Sequence, residues 1–362
     1  MKTLWLYGGT PKTATTTVQH FLVANRPALA ERGVAYPDMS DLFGKPNNPR
    51  NANWLTNSRR WGERRQEGFR RVRALLGEYD TVVLSDELLW KYRFTQAEFF
   101  DFVRAGVPPE TVVKVLVFLR RQDQFLYSSW EQAVKSRPER DESHLEFLDY
   151  VEQKQEKKRQ LDYAGTLAII ESAVGAENMA VRTFEPARYK DGGTSVCDEA
   201  LEALGIDGTG EWVESGRVRN VGMRDVVLET KRLMNYNGET AQMKFGGGHE
   251  KLRQALLHVQ RELEEEDLLG RRTGFPDEKR RDIMEHYAEG NATVARRYLG
   301  REDGVLFDCT DIEEGTGGEA MRPYTTEEIA RVFTRVIAEF ARRLDRAEGT
   351  AEFEGPGAEA GV

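Results

Sequence analysis

Cysteine is scarce in this sequence: Cys197 and Cys309 are the only two among 362 residues. Two cysteines exclude a disulfide framework and a cysteine-based zinc site, and no metal centre is expected. No run approaches 18 apolar residues, so a transmembrane helix is not expected either. The apolar run before Gly8 is shorter than the apolar core of a secretory signal peptide. We therefore expect a soluble, cytoplasmic protein.

Positive charge is not in excess, because 61 acidic residues outnumber 52 lysines and arginines and leave a formal net charge of -9. Proteins that bind nucleic acid carry broad basic surfaces, so wholesale nucleic-acid binding is not expected. Apolar residues make up 39% of the chain, enough for a substantial core. The length fits one large domain or two moderate ones.

Four short apolar runs predict buried strands at residues 4–7, 81–85, 111–119 and 179–184. The third run, TVVKVLVFL, is the strongest because it is rich in β-branched residues and almost entirely apolar. Helical patterns separate the runs, beginning with one at residues 16–24. This alternation predicts an α/β fold with a parallel sheet flanked by helices.

The second half is predicted to be mostly helical, with amphipathic helices at residues 224–234 and 250–269. A last helix is predicted at residues 325–344, where Thr325 and Glu328 form a capping box. We expect this helix, within residues 320–347, to dock on a domain that spans residues 1–310. The tail at residues 348–362 is rich in Gly, Glu and Ala and is expected to be disordered.

In the stretch TLWLYGGTPKTATTTVQHFL (residues 3–22), the first strand is followed by a glycine turn, then by Lys12 and by four threonines within the next five residues, where the first helix begins. Backbone N–H groups and the helix dipole favour an anion at such a junction. Lysine adds a positive charge, and the threonine hydroxyls add donors. A Walker A loop reads G-x-x-x-x-G-K-[ST], and no GK[ST] follows Gly9 here. The loop therefore predicts a phosphate or sulfate site that differs from that of a nucleotide triphosphatase.

A second anion site is predicted in FLRRQDQFLYSSWEQ (residues 118–132). Arg120 and Arg121 follow the carboxyl end of a buried strand, where α/β folds place their ligands. Ser128 comes eight residues after Arg120, and an arginine with a serine hydroxyl suits a phosphate. Two anion sites on successive strand ends indicate a ligand with phosphates at both ends of a nucleoside.

These two segments resemble known motifs. TPKTATTT is similar to the 5′-phosphosulfate loop of sulfotransferases, PK[ST]G[ST]T, and LRRQDQFLYSS resembles their 3′-phosphate motif. FLVANRPALAERGVAYP, RNVGMRDVVLETKRLMN and GNATVARRYLGREDGVLF resemble phrases of bacterial carbohydrate and small-molecule members. The resemblance implies the cofactor 3′-phosphoadenosine 5′-phosphosulfate (PAPS), with adenosine 3′,5′-bisphosphate (PAP) as product. It implies a P-loop-like three-layer fold, with a cofactor-binding core over about residues 1–215 and a helical acceptor-side region over about residues 216–310.

The resemblance also implies roles for single residues. Lys12 would bind the bridging oxygen and stabilise the leaving phosphate. Arg120 and Ser128 would bind the 3′-phosphate, while Arg121 would face either solvent or a structural carboxylate. Ala14 stands where the family usually has glycine, and we expect it to be tolerated because a helix start does not require a positive φ. The loop residues expected around the cofactor are Thr10, Pro11, Lys12, Thr13, Ala14, Thr15 and Thr16.

A sulfotransferase needs a base that takes the proton of the acceptor hydroxyl. In the family the base, a histidine or a glutamate, commonly follows a strand in this region. In VVLSDELLW (residues 82–90), Glu87 is the first candidate and Asp86 the second. The alternative for Glu87 is a solvated acid favoured by the helix dipole. Ser85 would cap that helix or contact the cofactor, and His20 is interpreted as a packed or surface residue.

The expected acceptor is a hydroxyl of a glycan, a glycolipid or a small molecule. Residues 51–73 are rich in arginine, with Trp54, Trp61 and Phe69 interleaved. They form either a solvated helix paired with acids or a basic, aromatic lip for an anionic or sugar-bearing acceptor. Residues 244–249 (KFGGGH) form either a helix connector or a lid. Further candidates for cofactor contact are Arg217, Arg219 and Asn220.

Two other functions stay open. A P-loop kinase would need a GK[ST] sequence, which is absent here, and a magnesium-binding aspartate at a strand end. A non-catalytic protein that binds PAP would keep Arg120 and Ser128 but would not need Lys12 or a base. The presence of Lys12 favours the enzyme.

Overall fold

The structure, a computed structural model, describes residues 1–43, 48–56, 62–136, 142–155, 159–185, 195–214, 223–236, 248–269, 276–314 and 324–351. The chain forms two compact units. The first comprises Met1–Leu126, Lys154–Arg219 and Arg281–Thr310, and the second comprises Tyr127–Gln153, Asn220–Arg280 and Asp311–Val362. The sequence predicted one domain over residues 1–310 divided near residue 215, whereas both units combine segments from before and after that point.

The first unit is built on a parallel sheet. In the described residues its strands are β1 Thr3–Gly9, β2 Val34–Ala35, β3 Thr81–Ser85, β4 Val112–Arg120 and β5 Met179–Phe184. Their spatial order is β2-β3-β1-β4-β5, and every neighbouring pair is parallel. The central strand β1 places Tyr7 opposite Ser85 of β3 and Gly9 opposite Phe118 of β4.

Helices make up most of the remaining described chain. In chain order they are α1 Thr15–Ala24, α2 Arg26–Glu31, α3 Asn53–Thr56, α4 Gly62–Glu78, α5 Leu88–Tyr92, α6 Ala97–Gly106, α7 Gln122–Ser136, α8 Phe147–Gln155, α9 Tyr163–Val174, α10 Val196–Leu204, α11 Asp225–Tyr236, α12 Gly248–Glu265, α13 Asp277–His286, α14 Ala288–Leu299, α15 Thr310–Glu313 and α16 Thr326–Ala351. No helix among the described residues combines the length and the apolar character needed to cross a membrane.

Helices cover both faces of the sheet. Successive side chains of a strand point to opposite faces, and β1 shows this clearly. Leu4 and Leu6 belong to an apolar cluster shared with α4, α6, α9 and α14. Trp5 and Tyr7 belong to a second cluster shared with α1, α2 and α10. The predicted class, an α/β, P-loop-like three-layer fold with a central parallel sheet, is confirmed.

The second unit is helical in its described residues. Its helices α12 and α16 pack together and bury Leu256, Val259 and Val332. The predicted capping box opens α16, since the Glu328 amide donates to Thr325 Oγ1 at 3.2 Å and the Thr325 amide donates to Glu328 Oε2 at 2.7 Å.

The predicted elements match the structure except at their ends. The strands predicted at residues 81–85 and 179–184 have the predicted bounds, while β2, with two residues, was not predicted. The first helix begins at Thr15 rather than Thr16. Helix α16 continues to Ala351, four residues into the segment expected to be disordered, and residues 352–362 lie outside the described residues.

Candidate functional site

The carboxyl ends of β3, β1 and β4 lie side by side at one edge of the sheet, because the three strands are adjacent and parallel. Residues 86–87 follow β3, residues 10–16 follow β1, and Arg120 ends β4. The sheet therefore brings together three of the segments that the sequence predicted to carry function. We call residues 10–16 the threonine loop.

Two glycines at the end of β1 allow the threonine loop to approach β4 closely. A Cβ on Gly9 would lie 3.0 Å from the Phe118 carbonyl oxygen and 3.0 Å from Thr13 Oγ1. A Cβ on Gly8 would lie 2.9 Å from the ring of Phe94. A side chain at either position would meet the backbone of β4 or a fully buried ring, so both positions favour glycine.

The threonine loop holds two non-glycine residues in the left-handed region, Lys12 with φ 70° and Ala14 with φ 54°. This region costs an L-residue roughly 1–2 kcal/mol. Ala14 directly precedes α1, so the prediction that the helix start needs no positive φ at this position is wrong. Local preference does not favour this loop shape, and the surrounding contacts must maintain it.

The threonine loop leads into a helix N-terminus that suits an anion. Within the described residues, Ala14 gives α1 no side-chain cap, and the first turn contains no acid to offset the helix dipole. Thr13 and Thr15 are buried with their hydroxyl oxygens 3.3 Å apart, and Thr13 Oγ1 donates to the Thr10 carbonyl at 2.8 Å. Thr16 is exposed. Amides and hydroxyls thus surround one helix end.

Thr10 joins the threonine loop to β4. Its amide donates to the Phe118 carbonyl at 3.0 Å, and its hydroxyl oxygen accepts from the Arg120 amide at 3.0 Å. The same hydroxyl donates to the Phe118 carbonyl at 3.3 Å. Thr10 is fully buried, so its hydroxyl serves the backbone of the site. Its contact with a cofactor stays a prediction.

The side chain of Arg120 turns back to the threonine loop. Its Nη1 donates to the Lys12 carbonyl at 3.0 Å, and its Nε donates to Gln124 Oε1 at 3.4 Å. The guanidinium carbon lies 5.9 Å from the centre of the Phe184 ring. The Tyr163 hydroxyl donates to the Arg120 carbonyl at 2.5 Å, and burial raises the pKa of Tyr163. Arg120 is therefore held at both its backbone and its side chain, beside Lys12.

Arg121 is a structural residue. Its Nε and Nη2 contact the two carboxylate oxygens of Asp123 at 2.8 and 3.0 Å, and its Nη1 donates to the Asp308 carbonyl at 2.6 Å. Only 3% of Arg121 is exposed. Of the two alternatives that the sequence left open, solvent or a structural carboxylate, the structure supports the carboxylate.

Ser128 lies on α7, and its side chain is buried. It belongs to the second unit, whereas Arg120 belongs to the first. Their joint binding of a 3′-phosphate stays a prediction.

Asp86, the second candidate base, is fully buried and accepts hydrogen bonds on both oxygens. Oδ1 accepts from the Leu88 amide at 2.8 Å and from Arg50 Nε at 3.1 Å, and Arg50 Nη2 also contacts it. Oδ2 accepts from Asn53 Nδ2 and Thr56 Oγ1, each at 3.1 Å. Burial raises the pKa of Asp86, while Arg50 and the Leu88 amide oppose that rise. Because it is buried and both of its oxygens already accept hydrogen bonds, Asp86 is better placed to anchor Arg50 than to meet an acceptor hydroxyl.

Glu87, the first candidate base, is more accessible. Its side chain is 46% exposed, and Arg50 Nη1 lies 3.4 Å from its Oε1. The same guanidinium therefore contacts the buried Asp86 and the exposed Glu87. Of the two acids, Glu87 presents the carboxylate that a ligand at this edge could meet. Its role as a base stays a prediction.

Ser85 has a structural role in the described contacts. Its hydroxyl accepts from Gln19 Nε2 at 2.9 Å, and its amide donates to Asn51 Oδ1 at 2.7 Å. Asp86, rather than Ser85, accepts from the amide of Leu88 at the start of α5. His20 is half-buried on α1.

The described arginines of the 51–73 stretch contact groups of the first unit. Trp54 and Phe69 are buried and lie edge to face, with ring centres 5.2 Å apart. These contacts favour the interpretation of a helix paired with acids, although Arg59, Arg60 and Trp61 lie outside the described residues. Arg70 pairs with Glu67, Arg71 pairs with Glu67 and Asp41, and Arg73 and Arg64 donate to the carbonyls of Gly106 and Leu42.

Sequence reasoning missed Arg50 and Tyr163, which hold the candidate residues in place. Neither lies in a recognisable motif, because Arg50 meets Asp86 across 36 residues and Tyr163 meets Arg120 across 43. Residues 215–222 and 237–247 lie outside the described residues, and with them the candidates Arg217, Arg219 and Asn220 and most of the KFGGGH segment. Its last residues, Gly248 and His249, begin α12.

Comparisons with known proteins give little further information about function. No protein-family model matches the chain, and no curated protein matches it significantly. Among solved structures, the chain is similar to a sulfotransferase from Alicyclobacillus acidocaldarius, with 16% identity over 66% of this chain and 93% of that chain. The TM-score is 0.39, which is too low to support an inference. The functional interpretation therefore rests on the residues of the site.

Proposed function

We propose that this protein is a sulfotransferase that uses PAPS to sulfate a hydroxyl group of a glycan, a glycolipid or a small molecule. The proposal is carried by one observation: Arg120 Nη1 lies 3.0 Å from the carbonyl of Lys12, in a loop that opens a helix. A lysine, an arginine and an uncapped helix end at one sheet edge supply positive charge and donors for a ligand with more than one anionic group.

The residues present fit such a donor. PAPS supplies an activated sulfuryl group and carries a 3′-phosphate as a second anionic end. The amides at the start of α1, including that of Thr13, would hold the 5′ end together with the hydroxyls of Thr15 and Thr16, since the hydroxyl of Thr13 donates to the Thr10 carbonyl. Arg120 would hold the 3′-phosphate, with Ser128 as its partner. The close contact of β1 with β4 at Gly9 supports this arrangement, because the threonine loop and Arg120 then lie at the same edge of the sheet.

Two side chains would carry the chemistry. Glu87 would accept the proton of the acceptor hydroxyl as the acceptor oxygen bonds to sulfur. Lys12 would neutralise the negative charge left on the 5′-phosphate oxygen when its bond to sulfur breaks. The remaining residues would orient donor and acceptor for an in-line displacement, which demands positioning rather than covalent participation of the protein.

Calorimetric titration with PAP, 5′-AMP and ATP tests the cofactor. We expect PAP to bind more tightly than 5′-AMP and ATP, and Arg120→Ala to weaken PAP binding. Arg104→Ala is the matched control, because Arg104 is an exposed arginine of α6 paired with Asp101. A preference for ATP would instead favour a kinase.

Release of PAP from PAPS in the presence of phenols, sugars and glycolipids tests the reaction. We expect acceptor-dependent release that is lost in Lys12→Ala. Tight PAP binding without transfer to any acceptor would favour the non-catalytic PAP-binding alternative. Failure to bind any of the three nucleotides would contradict the proposed function.

A further inference from the structure

Arg120 contacts the backbone of the threonine loop at Lys12, one of its two left-handed residues. Lys12 has φ 70°, and its carbonyl accepts from Arg120 Nη1 at 3.0 Å. Only a glycine adopts that conformation without cost. A charged donor on the carbonyl of Lys12 offsets part of that cost, because hydrogen bonds to charged groups are stronger than neutral ones.

The arginine is itself fixed before it reaches the loop. Its amide donates to Thr10 Oγ1 at 3.0 Å, and its carbonyl accepts from the Tyr163 hydroxyl at 2.5 Å. Its side chain lies beside Gln124 and the Phe184 ring. The end of β4 is therefore a rigid support from which the guanidinium reaches Lys12.

We infer that Arg120 is a positioning residue for Lys12: its guanidinium holds the threonine loop in the left-handed shape that presents its amides and the Lys12 side chain to the 5′ anion. This role is additional to the 3′-phosphate contact. A guanidinium carries five N–H donors, so one arginine can hold a backbone carbonyl and a ligand oxygen together.

The inference has a consequence for ligand binding. A residue that contacts only the 3′-phosphate affects a nucleotide that lacks this group only through the attraction of its charge, which Arg120→Lys preserves. A residue that also shapes the threonine loop affects any ligand with a 5′-phosphate. Arg120 would then couple the two ends of the donor site, so that filling one end orders the other. The ligand part of this inference rests on the proposed function, whereas the support of the loop does not.

Calorimetry with 5′-AMP, which has no 3′-phosphate, separates the two roles. We expect Arg120→Ala to bind 5′-AMP at least about tenfold more weakly than the unaltered protein, in line with the loss of a charge-assisted hydrogen bond. PAP binding should weaken further. Arg120→Lys keeps the positive charge but not the planar group, so it should retain part of the preference for PAP and still bind 5′-AMP weakly. Unchanged 5′-AMP affinity in Arg120→Ala would overturn the inference and leave only a 3′-phosphate contact.

Hydrogen exchange of the ligand-free protein tests the support of the loop directly. We expect amides of residues 10–18 to exchange faster in Arg120→Ala and Arg120→Lys, with β1 and β4 unchanged. Arg104→Ala should match the unaltered protein. Unchanged exchange at residues 10–18 would overturn the inference even if PAP binding is lost. Faster exchange in a protein that binds no nucleotide would support the loop role and contradict the proposed function.

Discussion

Arg50 Nη1 lies 3.4 Å from Glu87 Oε1, while Arg50 Nε donates to the buried Asp86 at 3.1 Å. The arginine is thus anchored on one side and faces an exposed carboxylate on the other. Asp86 holds Arg50, and Arg50 limits the positions that Glu87 can occupy. The two acids that follow β3 have different environments, which indicates different roles.

Glu87→Gln tests the role of the exposed acid. Glutamine has nearly the same shape but cannot accept the proton of an acceptor hydroxyl, so turnover should fall by about 10²–10⁴-fold. PAP affinity should stay within about twofold, because Glu87 is not proposed to bind the donor. Steady-state kinetics and calorimetry on the same preparation measure both quantities.

Glu78→Gln is the matched control for that substitution, since Glu78 is exposed on α4 and should leave turnover unchanged. Full activity of Glu87→Gln would show that another group is the base. Asp86→Asn would then be examined next, although the five hydrogen bonds at that carboxylate make it the weaker candidate.

Arg50→Met tests the pair with Asp86. The substitution leaves a buried carboxylate without its cation, and breaking a buried pair from one side costs about 3–5 kcal/mol. We expect a decrease of this size in the free energy of unfolding measured with urea. In the double variant Arg50→Met with Asp86→Asn, much of the loss should be recovered, because the buried charge is removed. Equal stability of Arg50→Met and the unaltered protein would show that the pair does not stabilise the fold.

Ala14→Gly tests the left-handed residue before α1. Ala14 has φ 54°, which costs an L-residue roughly 1–2 kcal/mol, and glycine removes that cost. Glycine also gains entropy in the unfolded chain, which offsets about 0.5–1 kcal/mol. We therefore expect a net increase of about 0.5–1 kcal/mol in the free energy of unfolding, together with slower hydrogen exchange at residues 10–16.

Ala330→Gly is the control with the opposite expected sign. Ala330 is exposed in the interior of α16, where glycine should lower the free energy of unfolding by about 0.5–1 kcal/mol. If Ala14→Gly were destabilising by a similar amount, residue 14 would not occupy the left-handed region in solution.

Strands could be predicted from the sequence because burial on both faces leaves a simple pattern. The run at residues 111–119 is nearly all apolar, and β4 occupies Val112–Arg120. Strand β2 escaped prediction because two residues, Val34 and Ala35, cannot form a pattern. Helix bounds were less accurate because they depend on single residues, as at Thr15, where the left-handed Ala14 rather than a capping side chain precedes the helix.

The candidate site could be predicted only where its residues follow one another. Lys12 and the threonines form one segment, and Arg120 follows the strongest strand, so spacing alone indicated them. The residues that support them, Arg50 and Tyr163, are distant in sequence and gain their partners only through the fold. The positive φ of Ala14 could not be predicted either, because alanine is a poor indicator of the left-handed region.

Lys231 offers a prediction in the second unit that is independent of the candidate site. It is fully buried on α11, and its Nζ donates to Asn235 Oδ1. Asn235 in turn donates to the Val134 carbonyl at 2.9 Å and to the Ser143 carbonyl at 3.1 Å. Burial lowers the pKa of Lys231 to about 8. Folding therefore favours the neutral amine.

The sign of the pH effect follows from that shift. An unfolded lysine keeps its proton up to a pKa of about 10.4, so between about pH 8 and pH 10.4 the unfolded chain binds more protons than the folded one. The free energy of unfolding should then rise with pH across this window, by up to about 3 kcal/mol, and this gain should disappear below about pH 8.

Lys231→Met should lack this rise. Urea denaturation of the unaltered protein and of Lys231→Met, each measured from pH 7 to 10, would show the difference. Lys251→Met, which alters an exposed lysine of α12, should keep it. A flat difference between the unaltered protein and Lys231→Met would mean that Lys231 stays charged inside the fold up to pH 10 and that its hydrogen bond to Asn235 compensates for its burial.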